Sequence, residues 1–232
     1  MIFRRLNTLF TSIRWRKPFI LILLAVREIL RPIFYWYAWH IFETDISQDL
    51  LKPYSKEDVE VKVYTPQDYT LIIQKQISAM GELEPAEIGR RFARKDLIAI
   101  AVVREQPVGY MWMAISQGLE LAYDTYWTVR SHEAVKYGSF VIPALRGRAI
   151  NSCLNSAVNS YLRNIGIIRS LSSISILNPQ SMSLPKHYKR PIAMTVFVAH
   201  IRGLNWNIRK SFRAPLESRF TWPKKREIIR PF

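Results

Sequence analysis

Residues 139–151 read Ser139-Phe140-Val141-Ile142-Pro143-Ala144-Leu145-Arg146-Gly147-Arg148-Ala149-Ile150-Asn151. The stretch leaves an apolar run, crosses a basic loop and enters a helical pattern. Downstream, Leu154, Ala157, Val158, Tyr161 and Leu162 recur at helical spacing, and Gly166 is a suitable C-cap. A helix is therefore predicted over residues 151–165. The first amides of a helix have no intrahelical acceptor and lie at the positive end of its dipole. Such a start, with Arg146 and Arg148 beside it, suits a diphosphate. A Gly-x-Gly-x-x-Gly pattern and a loop ending Gly-Lys-Ser/Thr are both absent, which disfavours dinucleotide and nucleoside-triphosphate sites.

Working outward, residues 136–142 read as the strand before the loop, and residues 167–177 as the strand after the helix. Residues 97–103 are a continuous apolar run, and residues 108–115 form a second one after Pro107. Together they predict an antiparallel hairpin with its connection at residues 105–107. Residues 59–64 alternate like a strand. Thr65 and Pro66 open a helix expected to run to Ala79, and a shorter helix covers residues 85–94. The last long strand spans residues 192–201. The predicted order is β-α-α-β-β-β-α-β-loop/helix-β, an α/β (α+β) fold with a mixed, mostly antiparallel sheet flanked by helices.

This order and the loop resemble the GNAT acyltransferase superfamily over residues 59–203. The family signature, a strand ending Val-x-Pro, two residues, then Arg/Gln-x-x-Gly-x-Gly/Ala, falls here on Val141, Pro143, Arg146, Ala149 and Asn151. Two positions depart from it: Ala149 replaces the first glycine, and Asn151 replaces the last Gly/Ala. Gly147 lies in the loop but off register. The resemblance implies acetyl-CoA, or another acyl-CoA, as co-substrate. Phe140, Val141 and Ile142 would offer backbone groups to pantetheine. Arg146, Gly147, Arg148, Ala149, Ile150 and Asn151 would hold the pyrophosphate, with Asn178 a further family position beside the cofactor.

Acyl transfer from a thioester to an amine needs a deprotonated amine, a stabilised oxyanion and a proton for the leaving thiolate. By the resemblance, the amide of Val141 meets the oxyanion. The acids near the motif are Glu120, Asp124 and Glu133, with His132 beside them. Glu133 is the preferred base because it leads into the motif strand, and a surface carboxylate is its plainer reading. The family's tyrosine acid would lie seven residues after Asn178, where this chain has Pro185. Tyr188 and His187 lie just beyond and are the stand-ins, and aromatic packing is the competing role of Tyr188.

Charge points the same way. The chain has 232 residues, with 34 Lys and Arg against 18 Asp and Glu, a net +16. Residues 1–26 and 134–216 hold no acid at all, which suggests that the second half faces an anion, with a solvated basic face as the plainer reading. A single cysteine, Cys153, excludes an internal disulfide, and the four histidines lack metal-ligand spacing, so no metal is expected. Residues 19–26 are apolar but too short to span a bilayer, and Arg27 and Arg31 follow one turn apart. A helix over residues 14–30 is amphipathic. It suits either an anionic membrane surface or packing on protein. The expected division is a basic, apolar N-terminal segment (1–58), a GNAT-like domain (59–215) and a basic tail (216–232). The expected setting is cytoplasmic or peripheral at the inner membrane face, and a homodimer stays open. The expected acceptor is an amine, with an amino sugar of an envelope or polysaccharide pathway the specific suggestion. Two alternatives remain: a catalytically inactive module on the same fold, and a nucleic-acid-binding protein resting on charge alone.

Overall fold

The structure is a computed structural model describing residues 18–30, 34–47, 52–55, 57–81, 83–115, 119–122, 125–178, 181–188, 190, 192–201, 206–212 and 220–221. In chain order the elements are α1 (Pro18–Leu30), β1 (Phe34–Asp45), β2 (Glu60–Tyr64), α2 (Leu71–Ala79), α3 (Pro85–Ala93), β3 (Leu97–Val103), β4 (Gln106–Ala114), β5 (Leu119–Ala122), β6 (Thr125–Trp127), β7 (Glu133–Val141), α4 (Ile150–Asn164), β8 (Arg169–Ser175), α5 (Ser183–His187), β9 (Ile192–Ile201), β10 (Trp206–Phe212) and β11 (Phe220–Thr221). The main sheet runs β10-β9-β1-β8-β7-β4-β3-β2. Its β7–β8 pair is parallel and every other pair is antiparallel.

The β3–β4 hairpin turns on Arg104 and Glu105, both at positive φ (48° and 65°). That conformation matches the twist of the flanking strands. Gln106 and Pro107 already belong to β4, so the connection sits earlier than expected. Along β3 the side chains alternate between two cores. Leu97, Ala99 and Ala101 meet Leu154, Val158 and Leu162 of α4. Ile98 and Ile100 meet Ile73, Ile77, Ile88 and Phe92 of α2 and α3. Alanines on the α4 side let the helix approach closely.

Three expectations change in detail. The helix predicted from Thr65 divides in two. Pro66–Asp68 is one 3-10 turn, whose Asp68 carboxylate accepts from the Thr65 amide and hydroxyl, both at 2.7 Å. Tyr69 is extended, and α2 starts afresh with Thr70 as its cap, the hydroxyl accepting from the Ile73 amide at 3.3 Å. The motif strand begins at Glu133 rather than Lys136. Finally, the aromatic run after α1 is strand β1, paired with β8 on one side and β9 on the other. The sheet therefore includes residues that the expected boundary at 59 left in a separate segment. Residues 1–17 and most of 202–232 lie outside the described residues.

Candidate functional site

The site is set by where β7 leaves its neighbours. Opposite β4, Tyr110 pairs with Phe140 and Trp112 with Tyr137, so Gly138 and Ser139 face Met111 alone. This bulge bends the strand and increases its twist. Gly138 has φ +52°, and a Cβ there would meet Arg91 Nη1 at 2.7 Å, so only glycine fits without displacing Arg91. The guanidinium stacks over Trp112 and Tyr137, 5.2 and 5.1 Å from the ring centroids. Tyr137 donates to the buried Asp96, which also accepts from Arg94 Nη2 at 2.7 Å. Burial and the Asp96 charge push the Tyr137 phenol far above its ordinary value.

On the other side, β7 and β8 are paired from Glu133↔Arg169 to Lys136↔Ser172. Among the described residues that pairing stops there. β8 continues to Ser175 while still bonded to β1, where Trp39 pairs with Ser175. β7 bends away at the bulge, which opens a seam between residues 137–141 and 173–175. Gly109 and Val141 stand opposite each other, and the Ile142 amide donates to Val108 O at 2.9 Å. Alternation along an antiparallel pair then turns the N–H and C=O of Val141 away from β4, into the seam. Arg146 lies across its mouth. Its Nε donates to Val141 O at 3.0 Å, and its guanidinium stacks on Phe140 with 5.6 Å to the centroid.

Both parallel strands run toward the loop end of the seam. There β7 passes through a 3-10 turn, Pro143–Leu145, into the basic loop and α4. Gly147 has φ 81°, and Ala149, the N-cap of α4, has φ 61°. The left-handed conformation costs a non-glycine residue about 1–2 kcal/mol. Ala149 thus keeps the backbone shape usually met with glycine, at the cost of a strained turn. The amides of Arg146, Arg148 and Ser152 are taken by Pro143, Leu145 and Ala149. Those of Gly147, Ala149, Ile150 and Asn151 have no acceptor among the described residues. This is the donor set that a helix start offers an anion.

A strap crosses the same end. Ser55 Oγ donates to Arg148 O at 2.9 Å, and the Tyr54 amide donates to Ser152 Oγ at 3.2 Å. The Tyr188 hydroxyl donates to Lys52 O at 3.0 Å. Tyr54 packs on His187 with centroids 4.2 Å apart, and Arg148 Nη1 pairs with Glu57. These bonds engage oxygens and the Arg148 side chain rather than the loop amides.

The structure thus gathers Phe140, Val141, Ile142, Arg146, Gly147, Arg148, Ala149, Ile150 and Asn151 at one end of the seam. It does not gather Glu133. That carboxylate is buried at the opposite end of β7, eight strand residues from Val141 and roughly 26 Å away by strand rise. It is paired with Arg169 Nη1 at 3.3 Å. Arg169 also binds Glu43, at 2.9 Å. The base role expected of Glu133 is replaced by a structural ion pair, formed because Arg169 stands beside it in register. Tyr188 follows α5 at the loop end, with its hydroxyl committed to the strap. Asn178 Oδ1 accepts from the Ser181 amide at 3.2 Å, which makes it a turn residue. His132 Nδ1 donates to Gly166 O at 3.0 Å, at the far end. Asp124 and the side chain of Glu120 fall outside the described residues. Sequence reading missed the strap, whose defining contact joins Glu57 to Arg148 across 91 positions. Among the described residues, no group of three His, Cys, Asp or Glu is arranged to hold a metal ion.

No protein-family model matches the chain, and no curated protein matches it. Solved structures do. A tandem GNAT protein from the clavulanic acid biosynthesis pathway aligns with 83% of this chain and 72% of its own, at 13% identity and a TM-score of 0.52. A functionally unknown conserved protein from Staphylococcus epidermidis aligns with 81% of this chain, at 10% identity and a TM-score of 0.45. This chain spans 64% of that protein's length. An aminoglycoside N-acetyltransferase in complex with CoA aligns with 55% of this chain and 88% of its own, at 17% identity and a TM-score of 0.42. The chain has the GNAT fold, and the tandem protein carries that assignment.

Proposed function

We propose that this protein is an N-acyltransferase that moves an acyl group from acetyl-CoA, or another acyl-CoA, to an amine. The observation that carries the reading is the seam between β7 and β8, which opens toward a helix start with unused amides. A diphosphate at Gly147, Ala149, Ile150 and Asn151 places a pantetheine arm along the seam. The Val141 amide then faces the thioester oxygen. Arg146 and Arg148 add charge at the mouth, once Arg146 leaves Val141 O and Arg148 leaves Glu57. The acceptor is an amine, with an amino sugar the specific suggestion, and the attacking nitrogen passes its proton to water. The N-terminal basic stretch and the exposed apolar face of α1 support a peripheral position at an anionic membrane surface.

The test is a thermal shift with CoA at about 150 mM salt, near physiological screening. Wild type is expected to shift, and the Arg146→Glu, Arg148→Glu double variant is expected not to. An unchanged shift in the double variant removes the loop from the account. One observation favours a second reading, a CoA-binding module without catalysis: the preferred base, Glu133, is locked in an ion pair. CoA binding without thiol release from acetyl-CoA, across a panel of amines, would select it.

A further inference from the structure

Three aromatic rings meet where the strap crosses the loop end. The Tyr54 ring lies 4.2 Å from that of His187 and 6.1 Å from that of Tyr188, centroid to centroid, and His187 and Tyr188 are 4.9 Å apart. Arg190 stands over Tyr188, its guanidinium carbon 5.4 Å from the ring centroid. Clustered rings ordinarily gain their stability by leaving water. Here the cluster stays at the surface. Tyr54 is 43% exposed, and His187 is exposed beside it. His187 packs against Tyr54 at 34° and Tyr188 meets it edge-on at 60°. With both neighbours in place, a large part of Tyr54 still faces solvent.

This exposed ring is fixed close to the proposed diphosphate. The Tyr54 amide donates to Ser152 Oγ at 3.2 Å, and that hydroxyl donates to Ala149 O at 2.8 Å. Next along the chain, Ser55 Oγ donates to Arg148 O at 2.9 Å. The backbone at residues 54 and 55 is thus bonded to the same turn that presents the amides of Gly147, Ala149, Ile150 and Asn151. Covalent reach then keeps the Tyr54 ring within roughly 10 Å of those amides. The Tyr188 hydroxyl donates to Lys52 O at 3.0 Å, which ties the second segment to the first. Lys52 and Lys186 are exposed, two positions before Tyr54 and one before His187. Exposed rings with cations beside them take a nucleobase by stacking and its phosphates by charge.

We propose that the open face of Tyr54, backed by His187, seats the purine base of the acyl-CoA. The assignment rests on the acyl-CoA reading above. It divides the co-substrate at its diphosphate: the pantetheine arm runs inward along the seam, and the adenosine runs outward onto the strap. The strap is then part of the co-substrate site as well as a connection from β1 to β2. That part of the site comes from residues before 59, outside the stretch that carries the motif.

The experiment compares CoA with 4′-phosphopantetheine, which lacks the adenosine, by calorimetry on the full chain. Tyr54→Ala is expected to weaken CoA binding by about tenfold, the scale of one base stacked on an aromatic ring. Tyr54→Phe keeps the ring and is expected to bind CoA as wild type does. Affinity for 4′-phosphopantetheine is expected to be the same in all three proteins. If Tyr54→Ala does not fold, Tyr54→Leu takes its place, with the same expected loss. Unchanged CoA affinity in the Ala variant overturns the assignment. So does a Phe variant as weak as the Ala variant, or an equal loss of both ligands, since each would make Tyr54 a support for the loop rather than a seat for the base. All three of those results leave the acyl-CoA reading intact. Wild type that does not bind CoA overturns both.

Discussion

Ala149 shows how a departure from a motif is absorbed. Its φ of 61° is the shape glycine takes freely, held here by a residue with a Cβ. The sequence makes the substitution visible, but not whether the backbone or the loop gives way. The structure answers that the backbone keeps the turn and stores the strain. Ala149→Gly should therefore stabilise the fold by about 1 kcal/mol, read as a raised urea midpoint at unchanged slope. An equal or lower midpoint would mean the turn is not strained. The same scale explains the miss at Glu133. An acid next to the motif strand suggests a base, yet its partner Arg169 is 36 positions away and enters only through strand register.

At the scale of elements, the sequence revealed the motif strand, loop and helix because Pro143, Gly147 and a helical apolar stripe are local signals. The hairpin and the final strand were legible for the same reason. The seam was not, since it comes from a two-residue bulge that depends on what β4 presents opposite it. The strap was equally hidden, being an irregular connection between β1 and β2. Its Glu57 pairs with Arg148, and on the proposed function it would compete with a phosphate for that guanidinium. Removing that carboxylate frees the guanidinium, so Glu57→Gln should tighten CoA binding several-fold, on the scale of a partly exposed ion pair. Calorimetry on the full chain checks this, and weaker binding would instead make Glu57 a group that orients Arg148.

For the whole molecule, β1 is the element that composition misplaced. Its run of Trp and Tyr is as suited to a strand as to a membrane interface, and the sheet claims it. The helix before it keeps an apolar face. Ile22, Val26, Ile29 and Leu30 are 58%, 42%, 73% and 40% exposed, at helical spacing. No helix among the described residues is long and apolar enough to cross a membrane. Together with the acid-free residues 1–26, that face should bind phosphatidylserine-containing vesicles and not neutral ones. Ile22→Asp with Ile29→Asp should abolish co-sedimentation. Binding that persists in the double variant would assign the contact to charge elsewhere.

The outcomes that concern CoA presuppose a diphosphate seated at the start of α4 with its arm in the seam. Titration of CoA into the full chain tests this most directly, followed by amide exchange or chemical-shift mapping of the bound state. The expected result is saturable binding with changes concentrated at residues 139–151 and 173–175. Binding with those residues unperturbed, or no binding at all, would contradict it.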